Sequence, residues 1–258
     1  MPYVIGVANQ KGGVGKTTTA VTIADGVART GLKTLIIDLD TQSHVAVSFR
    51  QPDTDGVFNF FVKNEPIKSL VITVRENLDI LPGGTLTDKV IRYIDLMDYS
   101  DNVVSEKVDP LPYDVVILDT APTAGVMHLN ALRASDFILI PSRMGLLDTV
   151  GVAKLLKTMK EIQGRGHKFK GYAVFPTFFD RNTKETLLQF QMLTESFGTK
   201  VWPPIPQDTR VREAAAEAKT LWEYCPNSNV VIGYSEGKSK VGGYKQILER
   251  VLEIIHGS

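Results

Sequence analysis

The chain of 258 residues has one cysteine, Cys225, and only two tryptophans and four histidines. A single thiol excludes an internal disulfide and an all-cysteine metal site within one chain, and it suits a reducing compartment. No apolar run approaches the ~18 residues that a membrane-spanning helix needs. Net charge of one sign is also missing: 29 Lys and Arg face 29 Asp and Glu. No global field therefore announces a nucleic acid or a lipid surface. Met1 to Ala8 carries no basic side chain and runs straight into a motif, so no secretory leader is expected and the protein is expected to work inside the cell. Repeats, low-complexity tracts and linkers are absent, so one domain over residues 1–258 is expected.

What is there begins with an ordinary globular composition, 43% apolar and 22% charged. The charge is uneven along the chain. Residues 1–150 hold 13 Lys and Arg against 18 Asp and Glu, and residues 151–258 hold the remaining 16 against 11. Tyr3-Val-Ile-Gly-Val-Ala8, Thr34-Leu-Ile-Ile-Asp38, Leu78-Asp-Ile-Leu81, Val115-Val-Ile-Leu-Asp119, Phe137-Ile-Leu-Ile140 and Tyr172-Ala-Val-Phe175 read as strands. Each leads into a turn and a helical stretch; Ala20, Ile23, Ala24, Val27 and Ala28 recur at helical spacing. Apolar strands alternating with helices predict an α/β fold: a mostly parallel twisted sheet with helices on both faces. Ligands of such sheets bind at the carboxyl ends of the strands. Residues 50–70 and 98–112 are polar and poorly periodic and read as surface excursions. The tail from Tyr244 to Ile255 reads as an amphipathic helix docked on the core.

Gln10-Lys-Gly-Gly-Val-Gly-Lys-Thr-Thr18 follows the first strand and opens a helix, the context of a phosphate loop in a P-loop NTPase-like fold. Gly12, Gly13 and Gly15 let the backbone around Val14 aim successive N–H groups inward. The start of the helix at Thr17 and Thr18 adds its partial positive charge. Lys16 supplies a full charge to the β- and γ-phosphates, and the Thr17 hydroxyl suits Mg²⁺. Asp38 and Asp40 close the second strand two residues apart, on one face. Tyr113-Asp-Val-Val-Ile-Leu-Asp119 ends an apolar run in a carboxylate able to accept hydrogen bonds from a Mg²⁺ water shell.

The loop departs from the usual motif in having Gln10 at its first glycine position and an added lysine, Lys11. In these features Ala8-Asn-Gln-Lys-Gly-Gly-Val-Gly-Lys-Thr-Thr-Thr19 resembles the deviant Walker A loop of the ParA/MinD family of ATPases, on the ParA side. Asp180-Arg-Asn-Thr183, Phe197-Gly198, Ile205-Pro-Gln-Asp-Thr-Arg-Val-Arg-Glu-Ala214 and Glu223-Tyr-Cys-Pro-Asn-Ser228 extend the resemblance over nearly the whole chain. The resemblance implies that ATP and Mg²⁺ are bound, with Lys11 reaching a partner's nucleotide in a homodimer. It assigns Asp38 to the metal side and Asp40 to the attacking water, and it places Thr177, Pro206 and Asp208 around the adenine. Lys11, Lys16 and Asp40 are thus the expected catalytic groups, and Thr17, Asp38 and Asp119 the metal side.

Family members of the segregation type bind DNA without sequence preference and answer to an adaptor of ParB type. The cargo is a plasmid, a chromosome origin or a protein organelle such as a carboxysome. Phosphate-facing cations would serve here, and the basic half offers Arg181, Arg210, Arg212, Lys219, Lys238, Lys240 and Lys245. The motif starts too near Met1 for a preceding helix-turn-helix, so operator reading is not expected. A MinD-like membrane cycle would want a basic amphipathic tail, and Glu249 and Glu253 oppose it. An iron–sulfur ATPase would want paired cysteines, and Cys225 stands alone.

Overall fold

Thr34-Leu-Ile-Ile-Asp38 and Val115-Val-Ile-Leu-Asp119 are apolar on both faces of the pleat, so each is stable only inside a sheet covered on both sides. The computed structural model describes residues 1–97, 100–143, 146–237 and 239–257, and it buries both runs completely. The seven strands of the sheet are β1 (Tyr3–Val7), β2 (Thr34–Asp38), β3 (Ile72–Arg75), β4 (Leu78–Leu81), β5 (Val115–Asp119), β6 (Phe137–Arg143) and β7 (Gly171–Thr177). Their order is β3-β4-β2-β5-β1-β6-β7. Only β3 runs antiparallel to its neighbour. The result is a single-domain α/β fold.

Alternation along the strands divides the core. Ile5, Val7, Ile36 and Ile117 face the helix Lys16–Ala28, which buries Ile23, Ala24 and Val27 against them. Leu35, Ile37, Val116 and Leu118 face the other way, toward Val90, Ile94, Met127 and Ala131. Around β6 and β7, Ile138, Ile140 and Val174 meet Val152, Leu155 and Leu193. The tail forms the helix Gly243–His256, and its Tyr244, Ile247 and Val251 join the first of these clusters, as the sequence led us to expect.

The segments read as surface excursions turn out otherwise. The helix Gly56–Phe61 buries Val57, Phe60 and Phe61, and the helix Val103–Val108 buries Val103, Val104 and Val108. Helices of six residues are too short to display a 3.6-residue period, so their apolar side chains look scattered in the sequence. Two further elements went unread: the half-buried edge strand β3, and the exposed hairpin of β8 (Tyr234–Glu236) and β9 (Ser239–Val241).

Register sets the active end of the sheet. Asp38 stands opposite Asp119 across β2 and β5, and Asp119 stands opposite Val7 across β5 and β1. The phosphate loop after β1 is therefore delivered beside two carboxylates.

Candidate nucleotide site

The loop between Val7 and the helix Lys16–Ala28 is braced from within. Asn9, fully buried, donates its Nδ2 proton to the Pro141 carbonyl at 2.9 Å and accepts the Lys11 N–H at 3.1 Å. Gly13 and Gly15 have φ of 71° and 89°, the left-handed region that a Cβ penalises. Buried Val14 turns its carbonyl to the Thr177 hydroxyl, which donates to it at 2.9 Å. Lys16 is 8% exposed and donates from Nζ to the Lys11 carbonyl at 3.0 Å, so its side chain folds back across the loop. Burial lowers its pKa, against the pull of Asp119 and Asp40.

Below the loop lies the acidic pair. The Thr17 hydroxyl donates to Asp119 Oδ2 at 2.6 Å, while Asp119 Oδ1 is buried with no hydrogen-bond partner among the described residues. Burial, with the Asp40 charge adding, pushes the Asp119 carboxyl up to about 7, although Thr17 and Lys16 pull it down. Asp38 is raised well above the usual carboxylate range by burial and by the Asp119 charge. Its Oδ1 accepts the Asp40 N–H and its Oδ2 the Val45 N–H, each at 3.0 Å. Asp38 thus shapes the loop that carries Asp40. Half-buried Asp40 in turn accepts the Gln42 N–H at 3.0 Å. Thr120 ties the other side of the floor, donating to the Val7 carbonyl at 2.9 Å.

Gly12, Gly13, Gly15, Lys16, Thr17, Thr18 and Asp40 line one open cleft of ≈ 550 Å³, together with Ala121, Pro122 and Thr123. A second hollow of ≈ 40 Å³ shares Gly15 and Thr18 with it and is bounded by Thr177, Phe178, Pro206 and Asp208. All three residues expected around a base therefore meet beside the loop. They get there because residues 205–207 lengthen the sheet beyond β7: Phe179 donates to the Ile205 carbonyl and Gln207 to the Phe179 carbonyl, both at 3.0 Å. Asp208 accepts the Arg210 N–H and Nε–H at 3.0 Å, just before the helix Arg210–Ala216.

Sequence reasoning missed Asn9, Thr120 and Phe178. The first two lie on the flanks of motifs and act through hydrogen bonds across 132 and 113 residues. Phe178 has φ of 53° and is 41% exposed, held there by Thr177 and Phe179, with the Arg143 guanidinium 5.1 Å from its ring centre. Nothing in a linear pattern marks such a conformation.

The basic residues are only partly gathered. Arg181 lies over the Tyr234 ring at 4.6 Å, and Lys240 donates to Ser235 at 2.8 Å, so both stand at the β8–β9 hairpin. Arg210 and Arg212 share a short helix, and Arg210 is bound to Asp208. Lys219 pairs with Glu217 at 3.7 Å, and Lys245 is exposed on the tail helix. Lys238 lies outside the described residues.

A family model described as an AAA domain matches residues 3–170. The chain is 33% identical over 226 residues to the chromosome-partitioning ATPase Soj of Thermus thermophilus, covering 87% of this chain and 89% of that one. The chain belongs to the ParA/Soj family. It is also 28% identical over 242 residues to the sporulation initiation inhibitor protein Soj of Bacillus subtilis, covering 88% and 93% of the two. McdA of Cyanothece in an ATP complex superposes with a TM-score of 0.82 at 18% identity, covering 99% of this chain and 96% of that one. A putative plasmid partition protein of Borrelia burgdorferi bound to AMPPNP gives 0.78 at 22%, covering 100% and 99%. At these identities the two structures agree with this chain in fold. The ParA/Soj membership bears out the resemblance read from the loop at residues 8–19.

Proposed function

We propose that this ParA/Soj chain is an ATP-operated switch that binds DNA without sequence preference and positions a cargo. The observation that carries the reading is the buried pair at the floor of the cleft. Two carboxylates side by side, with Asp119 Oδ1 unpartnered, call for a cation. Among the described residues no group of three or more His, Cys, Asp or Glu could cage a metal by itself. That fits Mg²⁺, which keeps waters and phosphate oxygens in its shell and takes only one or two carboxylates. Thr17, Asp119 and Asp38 would hold it, and when bound it would neutralise charge on the phosphate oxygens.

The remaining work falls to the chain's own groups. The amides around Gly12–Thr18 and the Lys16 ammonium grip the phosphates. Asp40, set by Asp38 and Gln42, orients the attacking water at the mouth of the cleft. Thr177, Pro206 and Asp208 border the base. Lys11 reaches across to the nucleotide of a second copy, so that hydrolysis dissolves the dimer. Among the described residues no arginine lines the cleft, which supports a weak intrinsic rate raised by an adaptor of ParB type. Two copies would align Arg181, Arg210, Arg212, Lys219, Lys240 and Lys245 for phosphate contacts on the nucleoid. Lys238 remains a candidate from sequence.

A MinD-like membrane cycle has less support. The apolar face of Gly243–His256 is occupied by core packing through Tyr244, Ile247 and Val251. No helix of the described residues is long and apolar enough to cross a membrane. The decisive measurement is sedimentation with and without Mg-ATP. At low protein concentration wild type is expected to dimerise only with the nucleotide, and Lys11→Ala to bind ATP yet stay monomeric. A Lys11→Ala protein that dimerises like wild type overturns the role of Lys11, and a wild type that binds no ATP overturns the whole reading.

A further inference from the structure

The helix Lys184–Phe197 covers β6 and β7 with one narrow face, and Leu193 is its one fully buried residue. Phe190 and Phe197 flank Leu193 on that face, at helical spacing. Its opposite face would ordinarily be polar. Instead Leu187, Leu188 and Met192 are 47%, 58% and 48% exposed. Side chains three and four positions apart share a helix face, so Lys184, Leu187, Leu188, Gln191, Met192 and Glu195 form one outward stripe, all of it exposed.

The order of that stripe is self-complementary. Turned end for end about the midpoint between Gln189 and Phe190, the helix places Lys184 on Glu195, Leu187 on Met192 and Leu188 on Gln191. A twofold contact has this property, because residue i meets j while j meets i. Cation meets anion at both ends, Leu187 meets Met192 inside them, and Leu188 meets Gln191 at the centre. Gln191 Nε2 already donates to Glu195 Oε1 at 2.8 Å, holding that carboxylate along the stripe with its second oxygen open to a partner.

We propose that this face docks a second copy of the chain, antiparallel along Lys184–Glu195, with two Lys184–Glu195 ion pairs around a centre of Leu187, Leu188 and Met192. None of these residues lines the nucleotide cleft or the hollow beside it. The contact is therefore independent of ATP and separate from the dimer proposed through Lys11. One helix face is small beside the ~1,600 Å² of a standard interface, so the contact is weak alone and links ATP dimers into larger assemblies.

The test is sedimentation velocity of the full chain without nucleotide, over a concentration series. Wild type is expected to associate as concentration rises. Lys184→Glu and Glu195→Lys should each move the midpoint up by about tenfold or more, since each sets like charges against each other at both ends. The double variant re-creates the pairs in reverse and should return to within about threefold of wild type. Leu188→Gln should weaken association without restoring partner. ATP affinity, measured by calorimetry, should be unchanged in all four, which also shows that they fold. A wild type that stays monomeric at about 100 μM overturns the proposal. So does a double variant as weak as the single ones, which would mean that whatever covers this face is not a second copy.

Discussion

At the carboxyl ends of β1, β2 and β5, Lys16, Asp38 and Asp119 are buried; Lys16 and Asp119 shift each other's proton affinity, and the Asp119 charge raises that of Asp38. Beyond β7, by contrast, Arg181, Arg210, Lys240 and Lys245 are exposed, and the first three are engaged with Tyr234, Asp208 and Ser235. Both regions are rich in charge, but the dielectric differs. Removing a buried charge leaves its partner unpaired in a poorly solvated place, and the loss is large and local. Removing an exposed one is covered by water and salt, and the loss is graded. The first region behaves as a machine with essential parts, and the second as a surface with interchangeable ones.

The sharpest way to break this contrast is Lys16→Ala. It removes the one ammonium that the loop folds around, and the Kd for Mg-ATP should rise at least ~100-fold by calorimetry. A loss below about threefold would place Lys16 with the exposed cations. Next comes Asp40→Ala, which leaves the phosphate cradle intact. Hydrolysis should fall by about 100-fold or more while the ATP dimer persists on DNA. Normal turnover in that variant would remove Asp40 from the chemistry.

The pH dependence of stability follows from the acidic pair. Asp119 binds its proton more tightly in the folded chain than in the unfolded one, where a carboxyl titrates at about 4. Between that value and about 7 the folded state holds more protons, so stability is highest on the acid side and is lost as pH rises through the window. Asp38, shifted the same way, adds to the slope, and buried His128, lowered to about 4, offsets part of it below about pH 6.5. Thermal melts of the nucleotide-free protein should therefore drop from about pH 5 to about pH 8, and Asp119→Asn should flatten the curve. A melting temperature that climbs over that range would contradict the arrangement at the floor of the cleft. The smallest effect is expected in the exposed region. Replacing Arg210 and Arg212 together by Ala should weaken DNA binding at all sequences and reduce the salt slope by up to about 2. Because Arg210 is shared with Asp208, a slope change nearer 1 is consistent, and no change would remove this helix from the DNA face.

Much of the central region was legible beforehand. β2, β4 and β5 begin and end where the apolar runs do. Parallel central strands are buried on both faces and so leave continuous runs in the sequence. β6 and β7 extend past their expected ends through Pro141 and Pro176, residues that usually punctuate strands. The edges were not legible. Ile72-Thr-Val-Arg75 is short, half-exposed and paired on one side only, and Tyr234-Ser-Glu236 has almost no apolar content, so neither carries a pattern.

The phosphate loop shows the same division. Its glycines, lysines and hydroxyls were readable because they act on neighbours a few residues away, through backbone dihedrals that glycine alone adopts cheaply. Asn9 bracing Pro141, and Thr177 gripping Val14, were not readable. The same holds for the exposed, strained Phe178 and for the outward apolar stripe on Lys184–Phe197. Sequence by itself determined which groups could meet a phosphate, since local geometry is written in residue type and spacing. Only the tertiary structure decided that Asp38 and Asp119 share one buried floor, because strand register and the exclusion of water are set by the packing of the whole chain.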